Sequence, residues 1–464
     1  MIEFVILRHG ESIGNKNRVI QGQTGLYSIT PEGIRKIRIM SLQNADYFKN
    51  VNCAFTSDLD RAVETLHYIV DELNLTITEQ SMIMLREVDP GVLGDVSHEI
   101  AEQLFPEYYR IWEKHGDLDG IPGAETGAHL QARALAFIHY VTECYDETKV
   151  LVVTHAAFMR SLINTLLFRD RTTSICVENG HIHLVTNHTF LAHRELVSKG
   201  WRKIVYRYQG FEQQYAIKTI ISPTPDVMKI YSYFVAHPSH SVCEVYYDHI
   251  VDGMLYVVTR WVIGNTIHGK INNNEILEAW RNITEIHENL KEDNFMVQTT
   301  LYDKIIAYQQ TDNQSIKKIG DLLLDVYTII TDENVPVLYD VHRDNFIWAN
   351  RRWILVDVEG IIMAPEEFVI ACFMAVFLLL EDPTIDMIDY CLLLDNKEWD
   401  KNKIIILIGY RLYIGLAYAY NNDDLILKEK YKEAFCSWLD LANNSKAIDY
   451  EHIKLMRDLL LKVM

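Results

Sequence analysis

The chain has 464 residues, 49% of them apolar and 23% charged, and a formal charge of -20. This length exceeds one ordinary core and forecasts two or three domains, and the composition is that of a folded, globular chain. The acidic balance argues against nonspecific binding to nucleic acid or an anionic membrane, though not against a phosphate pocket, whose charge is local.

The N-terminal run starts with a strand-like segment and no basic stretch precedes an apolar one, so no signal peptide is expected. Glu3 to Leu7 reads as a short apolar strand and Val51 to Thr56 as a second. Asp60 to Leu73 has helical spacing, Lys149 to Thr154 is a third apolar strand, and Phe158 to Leu167 is helical again. Fully apolar strands alternating with helices predict a sheet covered on both faces. The character changes after His188, and residues 191–208 read as a linker. Lys203 to Arg207, Tyr215 to Ile221 and Met254 to Trp261 then alternate like strands of a small antiparallel sheet. From Asn274 the pattern is mainly helical, interrupted by a strand-turn-strand region at 337–358. The apolar run Val369 to Leu380 is about twelve residues, short of the roughly 20 that cross a bilayer, so a buried helix is expected there. Seven cysteines (Cys53, Cys144, Cys176, Cys243, Cys372, Cys391 and Cys436) form no close pair and read as thiols in a reducing, cytoplasmic compartment.

The first chemical signal is Arg8-His9-Gly10, just beyond a buried strand, where strand ends commonly build sites. An imidazole there can attack phosphorus if nearby cations neutralise the phosphoryl oxygens. Arg8 and Arg61 supply guanidinium forks matched to two phosphate oxygens. His155 also follows an apolar strand, in V-V-T-H, so two strands can deliver two histidines to one edge. A leaving alcohol needs a proton, and Glu87 in L-R-E-V-D-P-G is the nearest acid, with Asp89 a lesser substitute. Each residue taken singly has a bland alternative: His9 a satisfied loop histidine, Arg61 a helix residue paired with Glu64, Glu87 a surface carboxylate.

Taken together, L-R-H-G-E-S-I-G-N at 7–15, T-S-D-L-D-R-A-V-E-T at 56–65, L-R-E-V-D-P-G-V-L-G-D at 85–95 and V-V-T-H-A at 152–156 resemble the histidine phosphatase (phosphoglycerate-mutase-like) superfamily. The likeness covers about the first 190 residues. It implies a three-layer α/β/α fold, phosphorylation of His9, and Arg8, Asn15, Arg61 and His155 around the phosphoryl group. Glu87 is then the proton donor, and no cofactor is required. The chain departs from the family pattern at Ala156-Ala157, where glycine often follows the second histidine, and at Val92-Leu93-Gly94-Asp95. Both changes alter the pocket wall and blur the substrate. Gly22 fits phosphatase and mutase members alike.

A second signal comes at L-Y-D-V-H-R-D-N-F-I-W, 338–348, followed by W-I-L-V-D-V-E-G, 353–360. Phosphoryl transfer from a nucleotide needs an oriented hydroxyl and a metal held against the phosphates. Phe346 to Trp348 and Trp353 to Val356 can pair through an Asn350-Arg351-Arg352 turn, bringing Asn345 and Asp357 together as oxygen ligands suited to magnesium. Asp340 then orients the acceptor, and Glu359 is an extra metal-side carboxylate. His342 is a poor magnesium ligand. The bland alternative makes all of these turn and cap residues.

These segments resemble the catalytic core of the aminoglycoside phosphotransferase and choline kinase superfamily, with the D-x-E form leaning towards choline and ethanolamine kinases. I-T-E-I-H-E-N-L at 283–290 resembles the helix leading into the catalytic lobe, and L-Y-V-V-T-R-W-V-I-G at 255–264 the hinge. The resemblance implies a bilobal protein-kinase-like fold over 209–464, with the N-lobe to about 264. Asp340 would orient the acceptor, and Asn345 and Asp357 would bind Mg2+. Lys218, in A-I-K-T-I, would contact ATP phosphates. Tyr339 stands where the pattern carries histidine. No glycine-rich loop is evident, and Asp226 is the nearest acidic partner for Lys218.

The sequence therefore reads as an α/β bifunctional enzyme. A metal-independent histidine phosphatase spans 1–190, and an ATP- and Mg2+-dependent kinase for a small hydroxylated metabolite, such as choline, ethanolamine or another amino alcohol, spans 209–464. Its partners are a small phosphomonoester and a small acceptor, with neither nucleic acid nor membrane, and the oligomeric state is open. Two alternatives stand beside it: sugar or aminoglycoside specificity for the kinase, and a degenerate nucleotide-binding regulatory domain beside an active phosphatase.

Overall fold

The computed structural model describes residues 1–115, 118–200, 202–266, 273–326, 334–375 and 399–462. They form two compact units, the first from Met1–Pro223 with Val245–Trp261, the second from Thr224–Glu244 with Val262–Met464.

In the first unit, strands Glu3–Arg8, Val51–Ser57, Thr78–Met82 and Lys149–Thr154 pair in parallel, and Ile182–Thr186 closes one edge antiparallel. Side chains alternate across a strand, so each of the central strands feeds two cores. Phe4, Ile6, Phe55, Val150 and Val152 join one core with helices Gly127–Cys144 and Ala156–Leu166. Val5, Leu7, Ala54, Leu151 and Val153 join the other, with Ile37 of helix Pro31–Gln43 and Ala62, Leu66 and Ile69 of helix Asp60–Leu73. The result is a sheet covered on both faces, as the apolar strands predict, in the three-layer α/β/α arrangement that the resemblance implies.

The parallel register sets Leu7 against Val153 and Arg8 against Thr154, and His9 N–H continues the ladder to the Thr154 carbonyl at 2.9 Å. His9 and His155 therefore leave the sheet side by side at its carboxyl edge.

A second sheet in this unit is antiparallel, in the order Val245–Val251, Met254–Arg260, Gln214–Ile221, Lys203–Gln209, Arg194–Lys199. Residues 191–208, expected as a linker, thus hold one strand and most of another. Tyr208, Tyr215, Ile217, Tyr256 and Val258 from this sheet lie in one core with Phe137 and Tyr140 of helix Gly127–Cys144. Their hydroxyls find partners, as buried phenols require. Tyr215 donates to Gln131 Oε1 at 2.7 Å and Tyr208 to the Thr165 carbonyl at 3.0 Å.

The second unit contains helix Pro225–Ala236, helix Asn273–Glu292, and the antiparallel pair Asn334–Leu338 with Ile361–Pro365. A small sheet orders Asn265–Thr266, Phe346–Ala349 and Arg352–Leu355. The expected hairpin is present, with Trp348 opposite Trp353 and positive φ at Asn350 and Arg351. Helix Phe368–Met374 begins the apolar run read as a buried helix, and all seven of its residues are buried; residues 376–380 of that run lie outside the described set. Helix Lys401–Asn421 is long and apolar enough to cross a membrane, but 83% of its most apolar window is buried inside the unit. It packs with helix Leu425–Ser445, and Trp438 Nε1 donates to the Ile405 carbonyl at 2.6 Å.

Candidate active site

His9 is buried, and its Nδ1 lies 2.7 Å from the Gly10 carbonyl. A carbonyl can only accept, so Nδ1 carries the proton and Nε2 keeps its lone pair. The Gly10 N–H is bonded to Thr65 Oγ1 at 2.9 Å, and Asn179 Nδ2 donates to the His9 carbonyl at 2.8 Å, so the loop itself is fixed. Burial, reinforced by Arg8 and Arg61, holds the His9 imidazole well below its ordinary pKa. His155 lies with its ring centroid 5.0 Å from that of His9 and is likewise held neutral, by burial first and then by Arg61, His9 and Arg8. Its Nε2 is 2.8 Å from Ser57 Oγ, while its buried Nδ1 has no hydrogen-bond partner.

Arg61 is 1% exposed, from the first turn of helix Asp60–Leu73. Its Nη1 and Nη2 donate to the Thr24 and Gly22 carbonyls at 2.7 and 2.8 Å, and burial lowers its pKa to about 10. The pairing with Glu64 considered from sequence does not form; Glu64 Oε2 accepts the Ile29 N–H at 2.8 Å instead. Gly22 has φ +50°, and a Cβ there would lie 2.3 Å from Pro90 Cδ, so only glycine presents this carbonyl to Arg61. Arg8 Nη1 donates to the Val177 carbonyl at 2.8 Å. The Nε atoms of Arg8 and Arg61 are both buried without a partner. Asn15 Oδ1 accepts from Ser12 N, Ser12 Oγ and Asn179 Nδ2, which commits the oxygen and leaves the amide nitrogen for a ligand.

Glu87 Oε1 accepts the backbone N–H groups of Val88 at 3.0 Å, Ala157 at 3.0 Å and Phe158 at 3.3 Å. The last two belong to the first turn of helix Ala156–Leu166, which fixes the carboxyl in place. Arg8, His9, Asn15, Arg61 and Glu87 all line one cavity of about 530 Å³. Two buried imidazoles and two arginines at the carboxyl edge of a parallel sheet, with a carboxylate on the same cavity, define a phosphatase-type site.

Sequence reasoning missed several residues around it. Arg18 and Arg160 line the same cavity, as do Tyr109 and Trp112 of helix Pro106–His115. Arg160 had a signal in its spacing, one helical turn and a half beyond His155. Ser57 had none.

In the second unit, Asp340 follows strand Asn334–Leu338, and Asn345 is nearly buried with its Nδ2 donating to the Asp340 carbonyl at 3.1 Å. The Asn345 carbonyl accepts the Val356 N–H at 2.8 Å, which places Asn345 beside the segment carrying Asp357. Tyr339 N–H bonds to the Gly360 carbonyl at 2.8 Å, and a Cβ on Gly360 would lie 2.3 Å from Asp340 Cβ. Glu359 Oε1 accepts from the Tyr231 hydroxyl at 2.9 Å, and Arg411 Nη2 is 3.9 Å from Asp340 Oδ1. Lys218 is buried on strand Gln214–Ile221 of the first unit, between Val205 and Val257. Asp226, considered as its partner, accepts from Gln298 N and Thr299 N, each at 2.8 Å, within the second unit. Another cluster, His287, Glu288 and Glu366, gathers donor atoms within 4.8 Å, but Lys291 Nζ already supplies a cation to Glu366 Oε1 at 2.7 Å.

Residues 4–189 match the histidine phosphatase superfamily, branch 1. A probable phosphoglycerate mutase, GpmB, of Yersinia enterocolitica is 31% identical over 171 residues, covering 36% of this chain and 75% of its own. A 2,3-bisphosphoglycerate-dependent phosphoglycerate mutase of Rhizobium rhizogenes is 32% identical over 178 residues, covering 36% of this chain and 80% of its own. The solved structure of Bacillus stearothermophilus YhfR shares 20% identity, with a TM-score of 0.36 over 43% of this chain and 93% of its own. Through these residues the chain belongs to the histidine phosphatase superfamily.

Proposed function

We propose that the N-terminal domain hydrolyses a phosphomonoester through a phosphohistidine at His9. The observation that carries this reading is the Nδ1 bond to the Gly10 carbonyl, which leaves Nε2 as a neutral nucleophile in the field of Arg8 and Arg61. Nε2 attacks phosphorus as the bond to the leaving oxygen breaks. Arg8, Asn15, Arg61 and His155 hold the equatorial oxygens, and Glu87 gives the leaving alcohol its proton. The Glu87 carboxylate then takes a proton from water, whose oxygen attacks the phosphohistidine and returns His9. The cations are all side chains, so no metal or other cofactor enters. Rapid quench with labelled substrate should trap an acid-labile phosphoenzyme that His9→Ala cannot form; unchanged turnover in that variant removes the assignment. Phosphoryl transfer to a second substrate hydroxyl rather than to water would give mutase chemistry, as the names of the relatives suggest, and product analysis separates the two.

A second reading concerns the second unit, Thr224–Glu244 with Val262–Met464: ATP- and Mg2+-dependent phosphorylation of a small hydroxylated metabolite, choline, ethanolamine or another amino alcohol before a sugar or aminoglycoside. It is supported by the convergence of Asn345 with the segments of Asp340 and Asp357. With Nδ2 bonded to the Asp340 carbonyl, the Asn345 oxygen and the Asp357 carboxylate would supply oxygen donors of the kind Mg2+ takes. That ion would neutralise nucleotide phosphates while Asp340 orients the acceptor hydroxyl and Glu359 supports the metal side. Incubation with ATP, magnesium and a metabolite panel, read by mass spectrometry, tests it. ATP binding without turnover across the panel favours the regulatory alternative instead. A cytoplasmic location fits the six described cysteines, none of which is in a disulfide.

A further inference from the structure

One guanidinium holds the segment that carries Glu87. Arg133, on helix Gly127–Cys144, is 5% exposed and spends all five of its N–H donors locally. Its Nη1 donates to the Met84 carbonyl at 3.0 Å and the Arg86 carbonyl at 2.6 Å, and Nη2 to the Glu87 carbonyl at 3.3 Å. The remaining two donors form a fork on Glu125, Nε to Oε1 at 2.9 Å and Nη2 to Oε2 at 2.6 Å. Glu125 in turn accepts the Asp89 N–H at 3.3 Å, and its own N–H donates to the Asp89 carbonyl at 2.9 Å. The guanidinium also lies 4.8 Å from the ring centroid of Phe158, whose backbone N–H is one of the Glu87 donors.

We propose that Arg133, set by Glu125, is the positioning residue for the proton donor of the phosphatase reaction, an inference that rests on the phosphatase reading above. Three carbonyls in four residues converge on one cation, so the backbone on either side of Glu87 is fixed from behind while helix Ala156–Leu166 fixes its carboxyl from the front. A planar fork with five donors does this; an ammonium, with three donors on a flexible stem, cannot reproduce it. Proton transfer to the leaving oxygen tolerates little displacement of the donor, whereas attack by His9 does not involve this loop.

The test separates positioning from bulk stability by leaving-group dependence. Phenyl phosphate and p-nitrophenyl phosphate are nearly the same size, but nitrophenolate departs without protonation and phenolate needs it. Wild type, Glu87→Gln, Arg133→Lys and Glu125→Gln are assayed on both, with melting curves and vanadate binding as checks on the fold. Arg133→Lys is expected to lose about tenfold or more kcat/KM on phenyl phosphate and threefold or less on p-nitrophenyl phosphate, following the pattern of Glu87→Gln. Glu125→Gln should show the same bias to a smaller degree, and it carries the test if Arg133→Lys does not fold. Equal losses on the two substrates, or none, overturn the positioning role. A wild-type enzyme inert on both, or Glu87→Gln without leaving-group bias, instead removes the phosphatase reading or its donor.

Discussion

Glu87 Oε1 and the Ala157 N–H meet at 3.0 Å, tying the carboxyl to the helix that begins one residue after His155. The second histidine and the acid are therefore fixed to one another through a single backbone turn. Glycine often follows the second histidine in the family, and alanine here at 156 and 157 leaves these N–H donors intact. Glu87→Gln should consequently fold and bind vanadate yet lose about 10²–10⁴-fold in kcat on an alkyl phosphate. Steady-state kinetics beside vanadate titration checks this.

Ser57 governs the proton on His155. Its Oγ accepts the Leu59 N–H at 3.3 Å and lies 2.8 Å from His155 Nε2; when the serine hydroxyl donates there, the unpartnered Nδ1 bears the ring proton. Ser57→Ala should cost kcat/KM roughly tenfold, the worth of about 1.4 kcal/mol. Nitrogen-detected NMR of His155 should show the tautomer fixed in wild type and mixed in the variant.

Gly22 couples backbone conformation to phosphate binding. Gly22→Ala must carry φ +50° and a Cβ against Pro90, which should cost about 1–2 kcal/mol and displace the carbonyl that Arg61 Nη2 uses. Weaker inorganic phosphate binding, together with a lower melting temperature, is the expected pair of results. A lower melting temperature with unchanged binding would uncouple Arg61 from Gly22.

Acid should destabilise the first unit through His139. Arg194 Nη1 donates to its Nδ1 at 3.1 Å, and its Nε2 pairs with Thr219 Oγ1 at 3.0 Å. Burial and then the Arg194 charge lower its pKa to about 3, against roughly 6.5 in the unfolded chain. Below about pH 6.5 the unfolded state binds the proton and the folded state does not, so stability falls with pH by about 1.4 kcal/mol per unit until pH 3. His9 and His155 act in the same direction. Urea unfolding at pH 7 and pH 5 should therefore show a loss in wild type about 2 kcal/mol larger than in His139→Gln.

A chelator should divide the two proposed activities, sparing phosphomonoester hydrolysis and abolishing ATP-dependent transfer. Asp340→Asn should remove the transfer while leaving calorimetric binding of Mg-ATP, and Asp357→Asn should weaken that binding itself. Retained transfer in Asp340→Asn would mean that another group orients the acceptor.

Much of this was legible in the chain because alternation and spacing report burial directly. Phe4, Ile6, Val150 and Val152 face one core while Val5, Leu7, Leu151 and Val153 face the other, and that double burial is why the strands read as continuous apolar runs. Helix Asp60–Leu73 matches the bounds its periodicity gave. Strand Arg194–Lys199 was missed because it is an edge strand, exposed at Glu195 to Lys199 and bulged between Leu196 and Ser198, so no apolar period marks it. The clamp of Arg133 was equally hidden, since its acceptors are backbone carbonyls, which no side-chain pattern records.

The core shared by helix Gly127–Cys144 and the antiparallel sheet has a practical bearing on where this protein can be cut. Residues matching the superfamily stop at 189, yet Tyr208, Tyr215, Ile217, Tyr256 and Val258 lie beyond that point and cover Phe137 and Tyr140. A recombinant fragment ending near 190 would strip an apolar helix face bare and leave the Tyr140 hydroxyl without Asp252 and His139 without Thr219. Solubility would fail before chemistry did, and an inactive, aggregated fragment would say nothing about His9. A fragment carried through Trp261 retains the whole of that covering sheet.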